Sequence, residues 1–466
     1  MKQRNFVYRR TSKMRKNEPI ALITLITVLL CVSVLISCGI KKEPPIPEIP
    51  EIPELPASEG LTFEALKDES GREYYAVTGK GECTDSTIVI PNEYNGAPVE
   101  EIADKAFYQA EGIAEVIIPG TVKRVGFLAF ANAKGLEKVT LCNGVTTLCD
   151  SAFDHATDLH TVKLPQSLKH IGTFAFLDCN ISEITIPDGI EYIGQEILGY
   201  TPYSDNPENW ENGLLYIDDI LLSSDSKVLN GVCTVRDGTK TVASLAFAGA
   251  DLKITEVVFP ESVEILCEYV FWQCFNLKRI TLPNSIRSMG YGVFAQCIAL
   301  EEVTLPDSIT HIPSNAFEYC NLKAIIIPDG VTHIEADAFG GCEELTDITL
   351  PQTLTYIGDD AFRGCYNLPS IELPEGLTYV GEYAFDGKMT EIILPDSLIE
   401  IGKDAFESCA WLTTVTMGSN IKKIGYGAFP KDTVTDIYYS GTKEQWEQIE
   451  GVGSIGEKIT VHYCST

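Results

Sequence analysis

Leu277-Lys-Arg-Ile280-Thr-Leu282-Pro283-Asn-Ser-Ile286-Arg-Ser-Met289-Gly290-Tyr-Gly-Val-Phe294-Ala-Gln-Cys297 is one copy of a pattern that the chain repeats along most of its length. Its phenylalanine recurs at Phe107, Phe130, Phe153 and Phe176, then at Phe247, Phe271, Phe294, Phe317, Phe339, Phe362, Phe385, Phe406 and Phe429. Successive gaps are 21 to 24 residues, apart from one of 71 between Phe176 and Phe247. A unit this short cannot bury its own apolar face, so units must stack and share one long core. The pattern therefore predicts a β-rich solenoid of about 13–14 coils with short parallel strands and a cap at each end.

Within each unit the Ile-x-Leu-Pro segment alternates and is rich in β-formers, as in Glu302-Val-Thr-Leu305-Pro306 and Asp347-Ile-Thr-Leu350-Pro351. It reads as a short strand that pairs with its neighbours into a parallel sheet. Proline closes the strand because it has no N–H to add to the ladder. A second apolar step ending in Ile-Gly follows, as in Ile357-Gly358 and Ile401-Gly402. An Ala-Phe pair then turns the coil, and phenylalanines repeated every coil predict an internal aromatic ladder.

This pattern closely resembles the BspA-type leucine-rich repeats of bacterial and some protist surface proteins, over roughly residues 61–466. It departs from commoner leucine-rich repeats, since no asparagine ladder follows the strand and proline takes over its exit. Asp85-Ser-Thr-Ile-Val-Ile-Pro91-Asn-Glu-Tyr94-Asn-Gly96-Ala-Pro98-Val99 resembles the family's opening unit, and Ile437-Tyr-Tyr-Ser-Gly441-Thr442-Lys-Glu-Gln-Trp446 its closing cap, with Trp446 as plug. The resemblance implies a leucine-rich-repeat stack and a role in adhesion or host interaction. The expected organisation is an opening unit at 61–106, repeats at 107–194, an insertion at 195–235, repeats at 236–430 and a cap at 431–466. In the insertion, Trp210 to Leu222 reads as a β-hairpin. Such interruptions usually form a loop on one face.

Ahead of the repeats, residues 1–37 hold seven basic side chains against Glu18 alone, and Ile20 to Ser37 is an apolar run. That is the layout of a secretory signal. The run ends in Leu35-Ile36-Ser37-Cys38, which resembles the lipobox of bacterial lipoproteins and implies a lipidated Cys38. Acyl chains hold a protein on a bilayer because each buried methylene contributes about 0.8 kcal/mol. The alternative is an uncleaved span, since the run just reaches the required length. Residues 38–60 then form a stalk in which Pro47, Pro50, Pro53 and Pro56 match the three-residue turn of polyproline II. The expected address is the outer face of a membrane or envelope, reached by export and held by lipid.

The formal charge is −31, and removing the basic leader deepens it to −37. A body this acidic repels nucleic-acid phosphates and anionic headgroups, which excludes nucleic acid as a partner and leaves the lipid anchor as the membrane contact. It suits cationic partners or plain solubility. Seven cysteines share one column, three residues after the phenylalanine: Cys179, Cys274, Cys297, Cys320, Cys342, Cys365 and Cys409. Coils about 4.8 Å apart keep equivalent Cβ atoms beyond the roughly 3.8 Å that a disulfide prefers. Small, buried, reduced cysteines are therefore expected, with disulfides as the alternative. There is no Cys-x-x-Cys pair, so the usual zinc arrangement is missing.

His311, His333, Tyr356 and Tyr379 fall on four successive coils just before the Ile-Gly step. They form a candidate contact stripe for protein or sugar, since tyrosine is enriched at interfaces; the alternative is ordinary solvated strand positions. No nucleophile elbow, phosphate loop, His-Glu-x-x-His motif or dinucleotide turn occurs. No catalytic, cofactor or metal residues are assigned, and an enzyme is not expected. The function read from the sequence is a surface scaffold for extracellular protein ligands; the alternative is a cell-envelope glycan-binding or glycan-processing protein.

Overall fold

A computed structural model describes residues 56–249, 251–456 and 458–464. The leader 1–37, the lipobox with Cys38 and the stalk up to residue 55 lie outside these residues. The body is a parallel-strand solenoid of about 17 turns. That exceeds the 13–14 coils counted from phenylalanines because both caps and the interrupted segment contribute turns without the marker residue.

Two parallel ladders, each made of several short sheets, run along the stack. The first joins the Ile-x-Leu segments, as in Lys253–Val258, Arg279–Thr281 and Glu302–Thr304. The second joins the steps that lead into Ile-Gly, such as His333–Ile334, Tyr356–Ile357 and Tyr379–Val380. Glycine serves the second ladder by allowing close approach of backbones. A Cβ on Gly402 would stand 2.4 Å from the Gly381 carbonyl carbon. Proline interrupts both ladders for want of an N–H. Gly290 donates to Leu266 O at 2.8 Å, but Pro313 occupies that place one coil later, and the second ladder breaks there. Pro369 likewise precedes the stretch 370–373, where the first ladder lapses.

The phenylalanine turn is the third side of each coil. Asn315, Phe317 and Tyr319 donate their N–H groups to Ala336, Ala338 and Gly340 of the next coil at 3.0, 2.8 and 2.7 Å. Asn315 and Tyr319 are left-handed, with φ of 56° and 55°. The alternation turns every second N–H along the stack while the others close local turns. The rings stack in two runs, Phe107 to Phe176 and Phe247 to Phe429, with centroids 4.8–5.8 Å apart. The ladder is thus two ladders, and the interruption lies between them.

That interruption is built into the core and is no surface loop. Leu214–Ile217 and Ile220–Ser224 form an antiparallel hairpin, and Ile220–Ser224 continues in parallel onto Thr241–Val242, Ile265–Leu266 and Ser288–Met289. Both faces of this sheet are buried. Leu214, Tyr216, Leu221, Val242 and Leu266 enter the core of the following coils. Leu215, Ile217, Ile220, Leu222, Ala243, Ile265 and Cys267 enter the core of the preceding coils, with Ile190, Ile193 and Ile197. The edge of the first block's ladder meets the flank of the second: Ser244 N–H donates to Ile193 O at 2.9 Å, and Ile193 N–H to Cys267 Sγ at 3.4 Å. Ala243 and Cys267 stand where other coils have glycine, and their apolar side chains fill this contact.

An antiparallel hairpin, Thr62–Lys67 with Glu73–Gly79, closes the N-terminal end. At the other end Trp446 is buried edge-on against Tyr439 and Tyr463, as the plug role requires. Among the described residues no helix is long and apolar enough to cross a membrane.

The seven column cysteines are buried and free. Each thiol also donates to the carbonyl of the phenylalanine one coil back, Cys297 Sγ to Phe271 O at 3.0 Å and Cys342 Sγ to Phe317 O at 3.1 Å. The column thus supplies a weak donor to a buried acceptor. Burial pushes the Cys342 thiol up to about 12, which suppresses the reactive thiolate. In an alkylation assay the seven should resist reagent in the native state and react on denaturation without reductant. A requirement for reductant would show disulfides in the column.

Candidate functional site

The second ladder brings His311, His333, Tyr356 and Tyr379 into one row, each directly opposite the next. The row begins at the Pro313 break and continues into Glu400 and Lys423, which form an ion pair. His311 is exposed and the other three are half-buried. Neighbouring rings account for the cover: Tyr356 and Tyr379 are parallel at 4.8 Å, and His333 sits 5.3 Å from Tyr356. Tyr356 lies between two rings and so presents its edge and hydroxyl, while Tyr379 has a ring on one side and Glu400 on the other.

Sequence reading missed the border of this row. Asp359 and Glu382 follow Ile357-Gly358 and Val380-Gly381, and Glu335 takes the place of that glycine on the His333 coil. Burial first, and then Asp359 and Glu335, push the Tyr356 hydroxyl upward. Tyr379 is pushed up to about 12 by burial, with Asp359, Tyr356, Glu400 and Glu382 adding to it. Both phenols stay neutral donors at physiological pH, in a negative field. The signal was present as acidic residues two or three places after the stripe residue, but without the coil geometry that spacing did not connect them to the stripe.

The field deepens at the next turn. Asp337, left-handed at φ 53°, has its carboxyl raised to about 6 by burial, then by Asp360 and Glu318, against the relief from Arg363. Its folded value lies above the unfolded 3.8, so the folded state binds more protons between these two values. Stability is therefore lost as pH rises through about 6 and regained toward 4. Asn tolerates the left-handed region as Asp does. Asp337→Asn should raise stability at pH 7 by on the order of 1 kcal/mol once solvent screening is allowed for. Denaturant melts at pH 7 and pH 4 check this, the gain vanishing at the lower pH.

His170 and Tyr192 lie at the equivalent ladder position in the first block, separated from the stripe by the junction. Cys38 lies outside the described residues.

Residues 82–203, 231–345 and 310–435 match the BspA type leucine rich repeat region, in six copies. No curated protein matches the chain in sequence. Among solved structures, a leucine-rich repeat protein of Eubacterium ventriosum is similar at 22% identity, covering 69% of this chain and 91% of its own, with a TM-score of 0.39. A leucine rich cell surface protein of Faecalibacterium prausnitzii is similar at 22% identity over 86% of this chain and 98% of its own, with a TM-score of 0.36. The pneumococcal vaccine antigen PcpA is similar at 16% identity over 88% and 93%, with a TM-score of 0.27. The repeat that stacks these coils and the family match over most of their length agree: the chain belongs to the BspA-type leucine-rich repeat family.

Proposed function

We propose that this protein is a lipid-anchored surface scaffold that binds a cationic extracellular protein through the row His311, His333, Tyr356 and Tyr379. Family membership points to an extracellular protein-binding scaffold. The observation that carries the finer reading is the in-register polar-aromatic row with its acidic border of Glu335, Asp359 and Glu382. Rigid aromatic edges give contact area at low entropic cost, and the carboxylates attract lysine and arginine from a distance. Surface plasmon resonance against basic matrix proteins tests it. Binding should weaken with salt and fall at least tenfold when Tyr356 and Tyr379 are both alanine. Undiminished binding by that double variant would sink the stripe.

The anchor is argued from Cys38 closing the lipobox-like run. Cys38→Ala should abolish lipid labelling and leave an unprocessed precursor. Labelling that persists in this variant would remove the lipoprotein reading.

A further inference from the structure

A second candidate site lies where the two blocks meet. A cleft of about 320 Å³ opens beside the core hairpin, lined by Gln195, Glu196, Ser223, Ser224, Ser244 and Trp272, among others. Three parts of the chain converge there: the last coil of the first block, the end of the hairpin, and the first phenylalanine turns of the second block. Trp272 follows Phe271, and the equivalent residues on the adjoining coils are Ala248 and Ala295. The half-buried indole meets Tyr269 in a T-shaped contact, with ring centroids 6.4 Å apart, and has only alanine at its own position on the coils to either side, where it lines the cleft. Gly249, one residue further along, has open space where a Cβ would point. Glu196 is exposed and is held by the Gln195 side-chain amide at 3.3 Å. Ser244 Oγ is buried without a hydrogen-bond partner.

We propose that this cleft binds one neutral sugar ring, a hexose or an N-acetylhexosamine, at the end of or within a glycan. An aromatic face matches the C–H face of a pyranose. A carboxylate, a carboxamide and serine hydroxyls match its diols, the carboxylate accepting from two adjacent hydroxyls. The volume stands at the low end of the roughly 300–1,000 Å³ usual for small-ligand sites, which fits one ring. The lining residues include no lysine, arginine or histidine, so Glu196 meets no cation that would retain an acidic sugar. The site goes beyond the protein-binding reading and shares no residue with the stripe, so either can fail alone.

The test uses the full-length protein with methyl glucoside, N-acetylglucosamine and glucuronate as probes, read by saturation-transfer NMR and tryptophan fluorescence. A neutral probe should bind in the millimolar range, and glucuronate at least tenfold more weakly. Trp272→Ala should lower affinity at least tenfold and Trp272→Phe should recover part of it. Trp411→Ala, an exposed tryptophan on a distant coil, should change nothing. Glu196→Gln, at an exposed side chain, carries the same expectation of a tenfold loss should Trp272→Ala fail to fold. Three results would overturn the assignment: no binding of either neutral probe, equal binding of glucuronate, or undiminished binding by folded Trp272→Ala or by Glu196→Gln.

Discussion

Phe294→Ala and Phe339→Ala are each expected to lower stability by about 3–5 kcal/mol. Both rings are fully buried and stack between a phenylalanine on each side, at 5.2 and 5.4 Å for Phe294 and 5.3 Å on both sides for Phe339. Removing one leaves a void, and the turn cannot collapse into it, since its N–H groups are tied to the next coil. Contacts in a solenoid reach only to neighbours. The loss should therefore appear in hydrogen exchange as faster exchange in the coils flanking the mutation and little change in the first block. A loss under about 1 kcal/mol, or exchange unchanged nearby, would place the phenylalanine column outside the core.

Leu215→Asp should be at least as damaging, by more than about 4 kcal/mol, because it combines a lost apolar contact with a buried unpaired carboxylate. Leu215 is 4% exposed and faces the first block's core, while its neighbours Leu214 and Tyr216 face the second. The charge cannot swing to solvent, because the strand is buried on both faces. The contact between blocks should fail before either stack does. Calorimetry should then resolve two transitions where the native chain shows closer coupling, since independent units melt separately. A single unshifted transition would show that the hairpin does not join the blocks.

How much was readable follows from these residues. The coil, its parallel ladder and its aromatic core were legible because stacking maps sequence period directly onto space: residues at equal phase become neighbours. The same rule put His311, His333, Tyr356 and Tyr379 in one row. The second ladder was less visible, because a two-residue strand before glycine carries too little alternation to read as β. The cysteine column was read as small and buried, but its hydrogen bond to the preceding phenylalanine carbonyl depends on which lone pairs the turn leaves open.

The junction was where periodic reasoning failed. Ala243 and Cys267 in place of glycine were a signal, yet nothing in their spacing says which surface covers them. By itself the sequence determined everything that repeats: the coil, the core columns, the caps and the family. Tertiary structure alone decided what occurs once, namely the hairpin buried between two cores, the acidic border beside the stripe and the cleft around Trp272. The reason is physical. Repeated contacts are local and set by phase, whereas contacts such as Ile193 with Cys267, 74 residues apart, depend on how two finished surfaces fit.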